Sequence, residues 1–112
     1  MKFKIGVAGA GHLGKIHIRI IKELPELYEL IGFYDSNIEL SSQVSNEFGI
    51  RSFDSLEELI SEVDCLDVVT ATLSHFSVSK KAIQSRKHVF IEKPLSETLE
   101  EAHSLQSLVH EA

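Results

Sequence analysis

Phe3-Lys4-Ile5-Gly6-Val7-Ala8-Gly9-Ala10-Gly11-His12-Leu13-Gly14 runs a short apolar segment straight into a glycine-rich turn. The segment is rich in β-formers and too short for a helix, so it reads as a buried strand. From Leu13 onward Ile16, Ile20, Ile21 and Leu24 follow at helical spacing, and Pro25 stops the helix. The three glycines therefore lie between a strand and a helix, spaced G-x-G-x-x-G. Gly9 permits the tight turn, Gly11 lets backbone approach a pyrophosphate, and Gly14 allows close helix–strand packing. Phosphates would meet free N–H groups and the positive end of the helix dipole. Ala10, His12 and Leu13 complete the loop, with His12 expected to supply backbone N–H more than imidazole.

Leu30 to Tyr34 reads as a second strand ending at Asp35, which stands 21 residues after Gly14. A carboxylate there accepts hydrogen bonds from adenosine ribose hydroxyls and repels a 2′-phosphate, which favours NAD over NADP. S-adenosylmethionine binders also combine a glycine-rich first loop with an acidic second strand end, but commonly lack the third glycine at this spacing. Beyond Asp35, Ile38, Val44 and Phe48 share one side of a helix closed by Gly49. Ile50 to Phe53 is a candidate third strand. Asp54 or Ser55 caps a brief helix, with Glu57 or Glu58 placed to complete a capping box. Leu66 to Val69 reads as a fourth strand and His75 to Ser85 as a helix with Val78, Ala82 and Ile83 inward. Val89 to Ile91 is a fifth strand, and Glu97 to Glu111 a last helix turning Ala102, Leu105, Leu108 and Val109 inward. Five strands alternating with five helices predict an α/β fold, a doubly wound parallel sheet with right-handed crossovers. No linker, repeat or low-complexity tract interrupts it, so residues 1–112 read as one domain.

Composition narrows the function. The chain has 112 residues, of which 43% are hydrophobic and 25% charged, an ordinary globular balance. Seventeen acidic against eleven basic side chains give a net charge of −6. That sign argues against a generic nucleic-acid or anionic-membrane binder, both of which need clustered positive charge. No apolar run approaches a membrane span, and Met1-Lys2-Phe3-Lys4 lacks the apolar core of a signal peptide. A single cysteine, Cys65, excludes an internal disulfide or a multi-cysteine metal site, and no metal is expected. These features point to a cytoplasmic domain.

Val68-Val69-Thr70-Ala71-Thr72-Leu73-Ser74-His75 and Lys87-His88-Val89-Phe90-Ile91-Glu92-Lys93-Pro94-Leu95, in order after the glycine loop, resemble the Gfo/Idh/MocA family of NAD(P)-dependent oxidoreductases. The family has a Thr-Pro-Thr/Asn-x-x-His segment after its fourth strand and a Glu-Lys-Pro triplet after its fifth. Ala71 replaces the family's usual proline, removing a φ constraint. Arg86 stands where glycine is common, which makes a left-handed turn costlier. The resemblance implies a Rossmann fold and hydride transfer between nicotinamide and a sugar, inositol or similar polyol. It implies that Thr70, Thr72 and His75 line the nicotinamide side of the strand ends. Lys93 would be catalytic, its ammonium binding the substrate oxygen and relaying a proton. Glu92 would contact the nicotinamide ribose or amide, or hold Lys93. The resemblance also implies a second domain, not among these residues, that holds the small-molecule substrate and builds a homo-oligomer. The chain alone is then expected to be inactive. A different class of reading is a stand-alone dinucleotide-binding module with a regulatory or sensing role. Lys93 favours the enzyme, since a sensor has little use for an ammonium at the hydride site.

The remaining chemistry-bearing residues read blandly. His17, His88, His103 and His110 lack metal-ligand spacing and are expected to be structural or surface groups. Cys65 is expected to be a small buried hydrophobe. Lys80-Lys81 and Glu100-Glu101 read as solvated helix faces.

Overall fold

The computed structural model describes residues 3–70 and 72–91, with side chains throughout except at 72–76, 90 and 91. The expected helix over 97–111 lies outside the described residues. Within them the chain runs β1 (Phe3–Ala8), α1 (His12–Lys22), β2 (Tyr28–Tyr34), α2 (Ile38–Phe48), α3 (Leu56–Glu62), β3 (Cys65–Val68), α4 (Thr72–Gln84) and β4 (His88–Ile91).

All three strand pairings are parallel, in the order β2-β1-β3-β4. Parallel neighbours need crossover connections, and α1, the α2–α3 passage from β2 to β3, and α4 supply them. The strands alternate their side chains between two apolar layers. Ile5, Val7 and Phe33 meet Ile18 and Ile21 of α1 and Val44 of α2 on one face. Ala8, Leu66 and Val68 meet Leu56, Leu59 and Ile60 of α3 and Val78 and Ala82 of α4 on the other. Burial on both faces is why β1 and β3 read as near-continuous apolar runs.

The expected third strand over 50–53 is corrected: the described residues hold four strands, and this segment contributes one bridge. Ser52 pairs parallel with Phe33 on the outer side of β2. The Phe33 N–H donates to Arg51 O at 3.0 Å and the Phe53 N–H to Phe33 O at 2.8 Å. The segment is squeezed between two fixed helix ends. Gly49 closes α2 in the left-handed conformation at φ 64°, and Ser55 caps α3. Too few residues remain for a longer ladder. The bridge nonetheless extends the sheet outward from β2, so β1 stands at the point where the connections change direction. The α1 crossover leads to one side of it and the return to β3 leads to the other. Ligands bind doubly wound sheets at such a switch point, beside the carboxyl ends of the strands.

Arg86 takes a left-handed φ of 59°, the costly conformation expected where family members commonly carry glycine. Other boundaries shift by a few residues: β2 starts at Tyr28 and α4 at Thr72, earlier than the apolar pattern suggested. No described helix is long and apolar enough to cross a membrane.

Candidate cofactor-binding site

The glycine loop joins β1 to α1 at the switch point, and each glycine meets a different constraint. Gly9 adopts φ +110°, and a Cβ there would fall 2.7 Å from Val69 O and 2.9 Å from Thr70 N. A Cβ on Gly14 would fall 2.2 Å from Gly9 O, so α1 can lie this close only with hydrogen at that position. Gly11 is the contrary case. Its φ is −70°, and a Cβ would meet nothing within 4 Å. Gly9 and Gly14 are glycines because the protein fills the space. Gly11 borders open space, where a ligand backbone or phosphate has room to approach.

The start of α1 is chemically unfinished. Gly11 is its N-cap and offers no side-chain hydrogen bond, and its first turn contains no acidic residue. The first helical bond is made by Lys15 N–H to Gly11 O at 2.9 Å. The N–H groups of the first turn, at His12, Leu13 and Gly14, precede that bond and have no partner inside the helix. Gly11, His12 and Leu13 are exposed while Gly14 is buried. Together with the helix dipole, these donors make an anion site of the kind a pyrophosphate uses. Ile18 and Ile21, both buried, anchor the same helix to the sheet.

Asp35 follows the end of β2 and reaches back to the loop. Its Oδ2 accepts from Ala10 N–H at 2.7 Å and its Oδ1 from Asn37 N–H at 2.8 Å. Gly9 N–H donates to Tyr34 O at 2.8 Å, so the loop is bound to the end of β2 at two successive residues. The structure therefore brings Gly9, Ala10, Gly11, His12, Leu13, Gly14 and Asp35 together. Thr70, just past β3, joins them, because its backbone lies against Gly9. Thr72 and His75 fall in the first turn of α4, and their side chains lie outside the described residues. Glu92 and Lys93 also lie outside the described residues, as does Ala71.

Two contacts escaped the sequence reading. One is the Asp35–Ala10 bond: the acidic residue at the second strand end signalled a ribose contact and not a contact with the loop. The other is Asp67, in the interior of β3. It is buried, and its Oδ2 lies 2.7 Å from His17 Nδ1 of α1. A charged residue inside an apolar strand, facing a histidine on the helix that covers it, is the signal that could have paired them. Cys65 lies half-buried at the start of β3. Burial, with Asp67 and Asp64 nearby, pushes its thiol pKa up and leaves it a poor nucleophile.

Residues 3–112 match the model of the oxidoreductase family with an NAD-binding Rossmann fold, and the chain belongs to that family. It is 37% identical over 108 residues to UDP-N-acetylglucosamine 3-dehydrogenase of Acidithiobacillus ferrooxidans, covering 96% of this chain and 34% of that protein. The crystal structure of that enzyme superposes with a TM-score of 0.89 over 99% of this chain and 36% of the other. Glucose-6-phosphate 3-dehydrogenase of Bacillus subtilis is 34% identical over 99 residues, which is 88% of this chain and 28% of that one. The WlbA dehydrogenase of Bordetella pertussis, solved with NADH and UDP-GlcNAcA, has a TM-score of 0.91 at 26% identity, covering 99% of this chain and 34% of that one. The chain thus spans about a third of the length of these relatives.

Proposed function

We propose that this chain is the cofactor-binding part of a nicotinamide-dependent oxidoreductase acting on a sugar, inositol or similar polyol. The observation that carries the reading is the open start of α1, walled by Gly9 and Gly14 and flanked by Asp35 at the switch point. Bound there, a nicotinamide cofactor supplies the hydride acceptor or donor. The N–H groups of His12, Leu13 and Gly14 hold the phosphates, and Asp35 accepts from the adenosine ribose and disfavours a 2′-phosphate. NAD is therefore the preferred cofactor. Thr70, Thr72 and His75 line the nicotinamide side. Lys93 is the catalytic residue, holding the substrate oxygen and moving its proton, and Glu92 positions the nicotinamide ribose or Lys93 itself. The names of the relatives, dehydrogenases of sugars and sugar nucleotides, support a carbinol substrate. Their extra length supports a further domain that completes the substrate site and a homo-oligomer, and the composition suits the cytoplasm.

Calorimetric titration of the chain with NADH and with NADPH tests the cofactor assignment. Tighter binding of NADH is expected. Equal or tighter NADPH binding overturns the role of Asp35, and failure to bind either overturns the site. In the enzyme carrying its substrate domain, Lys93→Met is expected to lower kcat by about 10²–10⁴ while NADH affinity changes little. A normal kcat would remove Lys93 from the reaction.

A further inference from the structure

We propose that Asp35 is a positioning residue for the phosphate loop, clasping the loop to α2 before any cofactor arrives. The inference rests on the cofactor site proposed above and extends it to how that site is shaped. Both carboxylate oxygens of Asp35 already accept a backbone N–H, from Ala10 at 2.7 Å and from Asn37 at 2.8 Å. Neither donor belongs to a ligand, and they lie on opposite sides of the carboxylate in the chain. Ala10 is fully buried between Gly9 and Gly11, and Asn37 is the N-cap of α2.

The α2 side of the clasp is itself tied down. Asn37 Oδ1 accepts from Leu40 N–H at 3.0 Å, and the single Ser41 hydroxyl proton is shared between Asn37 O at 2.9 Å and Asp35 O at 3.1 Å. The carboxylate thus hangs from a rigid helix start and holds the peptide that leads into Gly11. Charge-assisted bonds of this length are roughly twice as strong as neutral ones. A carboxylate has about four acceptor sites, so two remain for ribose hydroxyls while the clasp persists. Without the clasp, the Ala10 peptide is held only on its Gly9 side, by Gly9 N–H to Tyr34 O, and the Gly11 side, at the open start of α1, loses its fixed shape.

This differs from a charge gate that only repels a 2′-phosphate. Asp35→Asn and Asp35→Ser both remove the negative charge. Asn keeps one acceptor oxygen at the same reach, enough for the buried Ala10 N–H once its NH2 takes the Asn37 side and that bond is given up, whereas Ser is too short to span to Ala10. A charge gate predicts equal gains in NADPH affinity from the two variants. The clasp predicts a gain for Asp35→Asn alone, with Asp35→Ser weaker by about tenfold toward NADPH and toward NADH.

The test pairs calorimetric titration of both cofactors with amide hydrogen exchange at Ala10 in cofactor-free protein, circular dichroism confirming that each variant is folded. Ala10 should exchange slowly in the wild-type chain and in Asp35→Asn, and at least tenfold faster in Asp35→Ser. Equal Ala10 exchange in wild type and Asp35→Ser, or equal NADPH gains in the two variants, would overturn the clasp. Slow Ala10 exchange in a wild-type chain that binds neither cofactor would overturn the cofactor reading and leave the clasp standing.

Discussion

At the start of α3, Ser55 Oγ accepts from Glu58 N–H at 3.1 Å, and Glu57 and Glu58 occupy the first turn. At the start of α1, Gly11 contributes no side chain to the cap and the first turn holds no acid. Of the orphan N–H groups that every helix start carries, α3 satisfies that of Glu58 with a local cap, whereas α1 has no side-chain cap. A cap is worth about 1 kcal/mol. α1 can do without it because burial of Ile18 and Ile21 offers about 1.5–3 kcal/mol each. α3, seven residues long, buries Leu56, Leu59 and Ile60 and carries a cap as well, so the open start of α1 is not what burial alone dictates. Completing a helix end locally and leaving it open for an anion are competing uses of the same donors. Tertiary burial is what permits the second.

The largest break in this comparison is Gly9→Val. It forces a β-branched residue to φ +110° and drives its Cβ into the Val69 carbonyl. A loss of about 2–5 kcal/mol is expected in chemical denaturation, with cofactor binding lost as well. Gly11→Val separates fold from function. Its φ of −70° suits an L-residue and its Cβ meets nothing, so the melting temperature should stay near wild type. NADH affinity should nevertheless fall by about 100-fold or more, since the branched side chain occupies the approach to the open donors. Undiminished binding by this variant would show that the loop holds no phosphate.

Smaller changes sharpen the contrast. Ser55→Ala should cost about 1 kcal/mol in denaturant unfolding and leave NADH binding unchanged, because that cap is purely local. Gly11→Asp should raise stability by a few tenths of a kcal/mol, by giving α1 the cap it lacks. The same substitution should abolish NADH binding, because its carboxylate competes with the pyrophosphate for the same N–H groups. The smallest effect concerns Glu57, whose carboxyl pKa is lowered by its 2.8 Å hydrogen bond to Lys81 Nζ of α4 and by its own backbone N–H. A carboxylate with a depressed folded pKa stabilises the fold above its unfolded pKa and loses that contribution as pH falls through the folded value. An NMR titration of the Glu57 carboxyl should place its midpoint below that of unfolded chain. Removing Lys81 should bring the midpoint back up.

Much of the site is readable in the residue order because its rules are local. The glycine spacing between a short strand and a helix, the acidic residue closing the next strand, and the left-handed Gly49 all follow from backbone sterics over a few residues. So does the cost at Arg86, where a side chain occupies a turn that favours glycine. The run 50–53 misled because its strand-like composition is also local, whereas ladder length is set by the two helix ends that confine it. Two further facts belong to the fold alone. Asp67 finds His17 across 50 positions, and Asp35 spends both oxygens on backbone N–H groups, one of them 25 residues back. Sequence by itself determined the alternation of elements and the residue types that can face a dinucleotide. Only the tertiary structure decided which donors stay open and which are already taken, because a hydrogen-bond partner distant in the chain is chosen by the packing that brings it near.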